Sequence, residues 1–199
     1  MKKNLKKILC IITIGISQLA FSQVEFGVKA GAGLSNTTII HGTSSKRTGF
    51  LGGLVAKMPL SYKNEKNYIQ AELMYTNQGE YSLDRQNKKY KAFLNYINIP
   101  ILYKYYFDDQ GKDFFLEAGP QFGFKVSEKF DEDEPEINNN VPKSFDFAIA
   151  LGVGYSYQRK YEINLRYNLG MIDTYNFNKW DNGKNKSSFL TLALTYYFK

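Results

Sequence analysis

The sequence predicts an all-β chain, an eight-stranded antiparallel up-and-down transmembrane β-barrel preceded by a cleavable signal peptide. Three observations predict it. Between Phe145 and Tyr157 one parity holds Phe145, Phe147, Ile149, Leu151, Val153, Tyr155 and Tyr157, and the other holds Asp146, Ala148, Ala150, Gly152, Gly154 and Ser156. That is the two-residue period of a strand with unlike faces. After Gln158-Arg159-Lys160 the period resumes, with Tyr161, Ile163, Leu165, Tyr167, Leu169 and Met171 against Glu162, Asn164, Arg166, Asn168 and Gly170, so the pair reads as a hairpin. Second, both apolar faces run out into tyrosines, and each half supplies the roughly 9–11 residues and the aromatic girdle that a membrane-crossing strand needs. Third, no apolar run of about 18 residues follows residue 22, so nothing there crosses a bilayer as a helix.

The chain begins MKKNLKKILCIITIGISQLAFSQ: four lysines, an apolar run from Ile8 to Ile16, then small residues at Ala20 and Ser22. This is the layout of a secretory signal peptide over residues 1–22, with cleavage expected between Ser22 and Gln23. The barrel domain is then 23–199. Losing Lys2, Lys3, Lys6 and Lys7 takes 26 basic residues to 22 against 19 acidic ones, and the formal charge from +7 to +3. A nucleic-acid partner therefore loses its main support. Cys10, the only cysteine, goes with the same segment, and with it disulfides, thiol catalysis and cysteine-ligated metal. The mean hydropathy of −0.41 fits a barrel, because lipid-facing and lumen-facing residues cancel in any window.

In order, the first strand is expected over 24–34 and is rich in glycine; the second, 48–58, is closed by Pro59. The third, 68–77, sets Ile69, Ala71, Leu73 and Tyr75 against Gln70, Glu72, Met74 and Thr76. The fourth, 93–107, carries Pro100, which removes a ladder donor and predicts a bulge or local gap. Asp108 to Lys112 is a compact turn, and the fifth strand covers 113–125. The sixth and seventh are the hairpin described above, and the last covers 188–198. Polar loops are expected at 35–47, 78–91, 126–143 and 172–187, and short turns at the other end. Short turns belong on the periplasmic side of such barrels, which puts both termini there. The closing YYFK resembles the aromatic C-terminal signal of outer-membrane barrels.

The segments FGVKAGAGLS, YINIPILYKYYF (Tyr96 to Phe107), FFLEAGPQFGF (Phe114 to Phe124), FDFAIALGVGYSY and LRYNLGM together resemble the PorT-like outer-membrane β-barrel proteins of Bacteroidota-type bacteria, over essentially the whole chain after residue 22. The resemblance implies an outer-membrane location and, through the member that names the family, an accessory part in protein secretion as one alternative. It implies no catalytic residue.

The inward parity gathers a polar network of Glu72, Lys104, Glu117, Gln121, Asp146, Glu162 and Arg166, joined by Lys29, Lys57, Lys125, Gln70, Asn98, Asn164 and Asn168. Eight strands enclose a space that side chains can fill, so these groups are expected to form an ionic and hydrogen-bonded plug centred on Glu72, Glu117 and Arg166. A narrow pore is the rival use of the same residues. His41, with Ser44 and Ser45, is set against the serine, histidine and acid chemistry of a lipid-modifying enzyme, a second alternative. The acidic run Asp131 to Glu136 lacks the spacing of a calcium loop. Trp180, with Tyr175 and Phe177, reads as aromatic girdle or loop packing. A water-soluble lipid carrier would be a barrel too, but with the apolar parity inside. The reading is a monomeric, non-catalytic outer-membrane barrel without cofactor or metal. Its partners are membrane lipid and lipopolysaccharide, with other envelope or secretion proteins as a further possibility.

Overall fold

The structure, a computed structural model, describes residues 24–37, 44–61, 66–83, 88–108, 112–131, 141–176 and 186–198. Its strands are β1 (Glu25–Thr37), β2 (Ser44–Pro59), β3 (Asn67–Leu83), β4 (Lys89–Tyr106), β5 (Lys112–Phe130), β6 (Val141–Pro142), β7 (Phe145–Tyr157), β8 (Tyr161–Asp173), β9 (Tyr175–Asn176) and β10 (Lys186–Tyr197). Eight of them close into a barrel in the order β1-β10-β8-β7-β5-β4-β3-β2, while β6 and β9 form a separate two-stranded bridge. Every barrel pair is antiparallel, and closure runs from Gly27 opposite Tyr197 to Thr37 opposite Ser187. No strand edge is left for lipid to meet, the condition a bilayer imposes on any sheet within it.

The two faces of the wall are sorted as the parity predicts. Leu116, Leu151 and Leu165 are 48%, 57% and 46% exposed, while Glu117 and Arg166, their neighbours in sequence, are 2% and 5% exposed. Oil is outside and charge inside, which excludes the soluble-carrier arrangement. The near end of the barrel holds both strand termini, Glu25 and Tyr197, and the turn after Tyr157. Around it the outer face carries Phe26, Phe107, Phe114, Tyr157, Tyr161 and Phe198, and toward the far end it carries Phe50, Tyr75, Phe124 and Phe145. Cross-strand pairs tie these belts, with ring centroids 5.3 Å apart for Phe114 and Tyr155 and 5.6 Å for Phe124 and Phe145.

Two expectations are corrected at the far end. The stretches 78–83, 89–91 and 126–130, read as loop, are strand, so β3, β4 and β5 stand taller than the apolar alternation. The reason is that the apolar alternation from which the strands are read ends there, although backbone pairing continues. The connections after β1 and β3 are accordingly short, spanning 38–43 and 84–88, and the alternation of long and short loops holds only for the later strands. Of girdle and loop packing, Tyr175 takes the second: it is buried against Leu94 and Tyr96 over the far mouth. Trp180, Phe177, His41, the run 132–136 and the segment 1–22 lie outside the described residues.

Proline acts as expected in β4. The β3–β4 ladder skips from Ala71 opposite Ile101 to Met74 opposite Asn98, and the β4–β5 ladder skips from Pro100 opposite Gln121 to Tyr103 opposite Ala118. Register is unchanged across both gaps, and the one-residue shift of this pair falls instead between Asn95 and Tyr96. Gly79 has φ +107°, and a Cβ there would lie 2.1 Å from the carbonyl oxygen of Ala92. Only glycine fits at this point of β3.

Candidate functional site

The lumen is where the sequence concentrates its chemistry. A side chain reaches it from every second position of each strand, and the centre is reached from opposite walls at once. Arg166 on β8 faces Glu72 on β3, which lies diametrically across the barrel. The guanidinium meets that carboxylate as a fork, Nη1 donating to Oε2 at 2.8 Å and Nη2 to Oε1 at 2.7 Å, while its Nε donates to Glu117 Oε1 at 2.7 Å. Planar bidentate pairing is what arginine supplies and lysine cannot. Lys29 Nζ adds a bond to Glu72 Oε1 at 2.8 Å, and Asn164 Nδ2 adds one to Glu117 Oε1 at 2.7 Å.

The chain of charges continues toward the near end. Lys104 Nζ lies 3.7 Å from Glu117 Oε2 and 2.6 Å from Glu162 Oε2. Lys57 Nζ reaches Glu162 Oε1 at 3.2 Å and Glu25 Oε2 at 3.4 Å. Cation and carboxylate thus alternate from Lys29 to Glu25, so each buried charge faces an opposite one. Tyr106 donates to Glu162, and Tyr197 donates to Gln70 Oε1 at 2.8 Å. Backbone shape makes the room: a Cβ on Gly152 would sit 2.7 Å from Glu117 Oε1 and 2.8 Å from its Cγ.

The near mouth is shut by Tyr68, Tyr106 and Phe115, and by a side chain folded back from a turn. Arg159 sits 3.5 Å above the Tyr106 ring, and its Nη1 donates to Asp113 Oδ1 at 2.8 Å. The far half sets hydroxyl and amide groups beside the carboxylate of Asp146: Asn98 and Gln78 donate to Thr76 Oγ1 at 2.9 and 2.8 Å. Between the two halves lies a cavity of about 20 Å³, roughly the volume one water occupies. Asn164 and Asn168 line it with buried Oδ1 atoms that accept no hydrogen bond from the described residues.

Of the residues named from sequence, Glu72, Lys104, Glu117, Glu162 and Arg166 lie in one connected network. Gln121 lines the small cavity instead, and Asp146 lies apart in the far half, accepting a bond from Ser187 Oγ at 2.7 Å. Lys125 is not in the plug; it sits at the far end and donates to the carbonyl of Pro142 at 2.8 Å. Tyr106 and Tyr197 were missed although they share the inward parity with Lys104 and Thr195, which continuing the period to the strand end would have found. Arg159 had no such signal, since a turn residue has no parity. Among the described residues no three of His, Cys, Asp and Glu are placed to hold a metal ion.

Residues 16–176 match the family described as outer membrane protein beta-barrel domain. Solved structures with a similar fold include Neisserial surface protein A, at 17% identity and a TM-score of 0.49, covering 87% of this chain and 97% of that one. The attachment invasion locus protein Ail of Yersinia pestis is similar at 11% identity and a TM-score of 0.48, covering 88% and 99%. The outer membrane protein OprG of Pseudomonas aeruginosa is similar at 15% identity and a TM-score of 0.46, covering 88% and 94%. No curated protein matches the sequence.

Proposed function

The chain belongs to the outer-membrane β-barrel domain family, and on that premise we propose that it is a non-catalytic, monomeric barrel with a closed lumen that works through what its far end presents to the outside. The observation that carries this reading is the ion network spanning β1, β2, β3, β4, β5 and β8, which fills the lumen beside a cavity of about 20 Å³. A hydrated ion would have to break several buried pairs to pass. Planar-bilayer recording of the purified protein tests it: a flat baseline is the expected result, and discrete steps of steady current would make the protein a channel.

The finer placement we propose is among the PorT-like proteins of Bacteroidota-type bacteria, on the segments quoted above. Both termini face the periplasm in this reading, and the far end, where β3 to β5 overhang the apolar band, faces outward. Partners are outer-membrane lipid, lipopolysaccharide and, in the secretion alternative, other envelope proteins. Crosslinking in intact envelopes separates these, since a secretion role requires a stable protein adduct and a purely lipid-facing role gives none.

A further inference from the structure

The outer wall is not uniformly convex. On the near half of the face formed by β1, β10, β8 and β7 lies an apolar groove of about 540 Å³. Two adjacent rows of residues in register build it. The inner row runs Ala30, Leu194, Ile163, Tyr155, and the row nearer the barrel end runs Val28, Tyr196, Tyr161, Tyr157. One row is thus mostly aliphatic with an alanine where its neighbours are large, and the next carries three tyrosines side by side. That step in bulk, from Ala30 to the tyrosine rings, accounts for the hollow.

Charge is added at the lateral end of the tyrosine row and in the turn beyond it. Lys112 continues the tyrosine row as the register partner of Tyr157, with its Nζ 5.0 Å from that ring's centroid. Lys160 places its Nζ 5.4 Å from the Tyr196 ring. Among the described residues, three nearby carboxylates are engaged elsewhere: Glu162 and Asp113 point into the lumen and are held by Lys104 and Arg159, and Glu25 is engaged by Lys57. From the bilayer outward the face therefore reads aliphatic hollow, then a tyrosine row with one ammonium group at its own level and one in the turn beyond it. This is the order of acyl chain, interfacial region and phosphate in a phospholipid, and basic residues beside membrane-facing grooves recognise anionic headgroups.

We propose that this groove is a binding site for an anionic phospholipid of the leaflet at the near end, with one acyl chain over Ala30 and the phosphate held by Lys112 and Lys160. The inference rests on the reading that this face meets lipid. The test is native mass spectrometry of the full barrel released from nanodiscs that mix phosphatidylglycerol with phosphatidylcholine. Retention of phosphatidylglycerol over phosphatidylcholine on the order of tenfold is expected. The double variant Lys112→Glu/Lys160→Glu should lose the preference, and Ala30→Trp should reduce retention of both lipids. Equal retention of the two lipids by the native protein, or an unchanged preference in the double variant, overturns the site while leaving the barrel reading in place. A dimeric mass that Ala30→Trp abolishes would assign the groove to a second copy and overturn it as well. Failure to enter the nanodisc at all would overturn the membrane reading along with it.

Discussion

Arg166 is the residue whose loss leaves most undone, because two carboxylates from different walls, Glu72 and Glu117, both depend on it. Removing one partner of a buried pair leaves an uncompensated charge, at a cost of about 3–5 kcal/mol. Arg166→Ala should therefore lower the urea midpoint of unfolding in detergent by a large margin. Arg166→Lys should fall between, keeping the charge and losing the fork. The double variant Glu72→Gln/Arg166→Met should recover part of the loss, since it removes a charge from each side. A midpoint unmoved by Arg166→Ala would show that the network does not hold the walls together. These residues were readable in the sequence because mid-strand position and inward parity suffice to bring Glu72, Glu117 and Arg166 to one level. Lys125 shares that parity and still lies outside the plug, since it stands too near the far end of β5.

At the scale of the element, the turn between β7 and β8 carries a conflict. Gln158 and Arg159 have φ of +56° and +54°, left-handed values that Asn and Gly adopt far more readily, while Lys160 N donates to Tyr157 O at 3.1 Å to close the turn. An L-residue in that region costs about 1–2 kcal/mol. Gln158, exposed and uninvolved in the lumen, should be improved by glycine: Gln158→Gly is expected to raise stability by roughly 1 kcal/mol. Arg159→Gly relieves the same strain yet should lower stability, because Asp113 would remain buried without its cation. Equal effects of the two substitutions, measured by chemical unfolding, would mean that the Arg159–Asp113 pair contributes nothing. The hairpin itself was legible to the residue, from Phe145 to Tyr157 and from Tyr161 onward. The inward reach of Arg159 was not, because it depends on the turn's handedness and on Tyr106 from β4 lying beneath it.

For the whole molecule, the test of orientation is chemical access. Glu128→Cys on the β5 overhang should react with an impermeant thiol reagent in intact cells, and Gln158→Cys in the β7–β8 turn should react only after the outer membrane is opened; the reverse pattern would invert the barrel. The lipid-facing band makes a second prediction. Leu165→Arg places a charge in the middle of that band and should cost about 2–4 kcal/mol of folding into vesicles, whereas a water-exposed wall would tolerate it.

The sequence by itself determined the strand count, the sorting of apolar and charged faces and the residues available to the lumen, because a period of two is a local property that each strand carries alone. Tertiary structure decided which lumen residues meet. Closure of β1 on β10 sets β3 opposite β8, and only then does Glu72 come within reach of Arg166. It also decided how far β3, β4 and β5 extend past the apolar alternation, and where four strands in register leave a hollow between tyrosines. Partners across a barrel are fixed by the order and stagger of all its strands, and no single stretch of sequence encodes that.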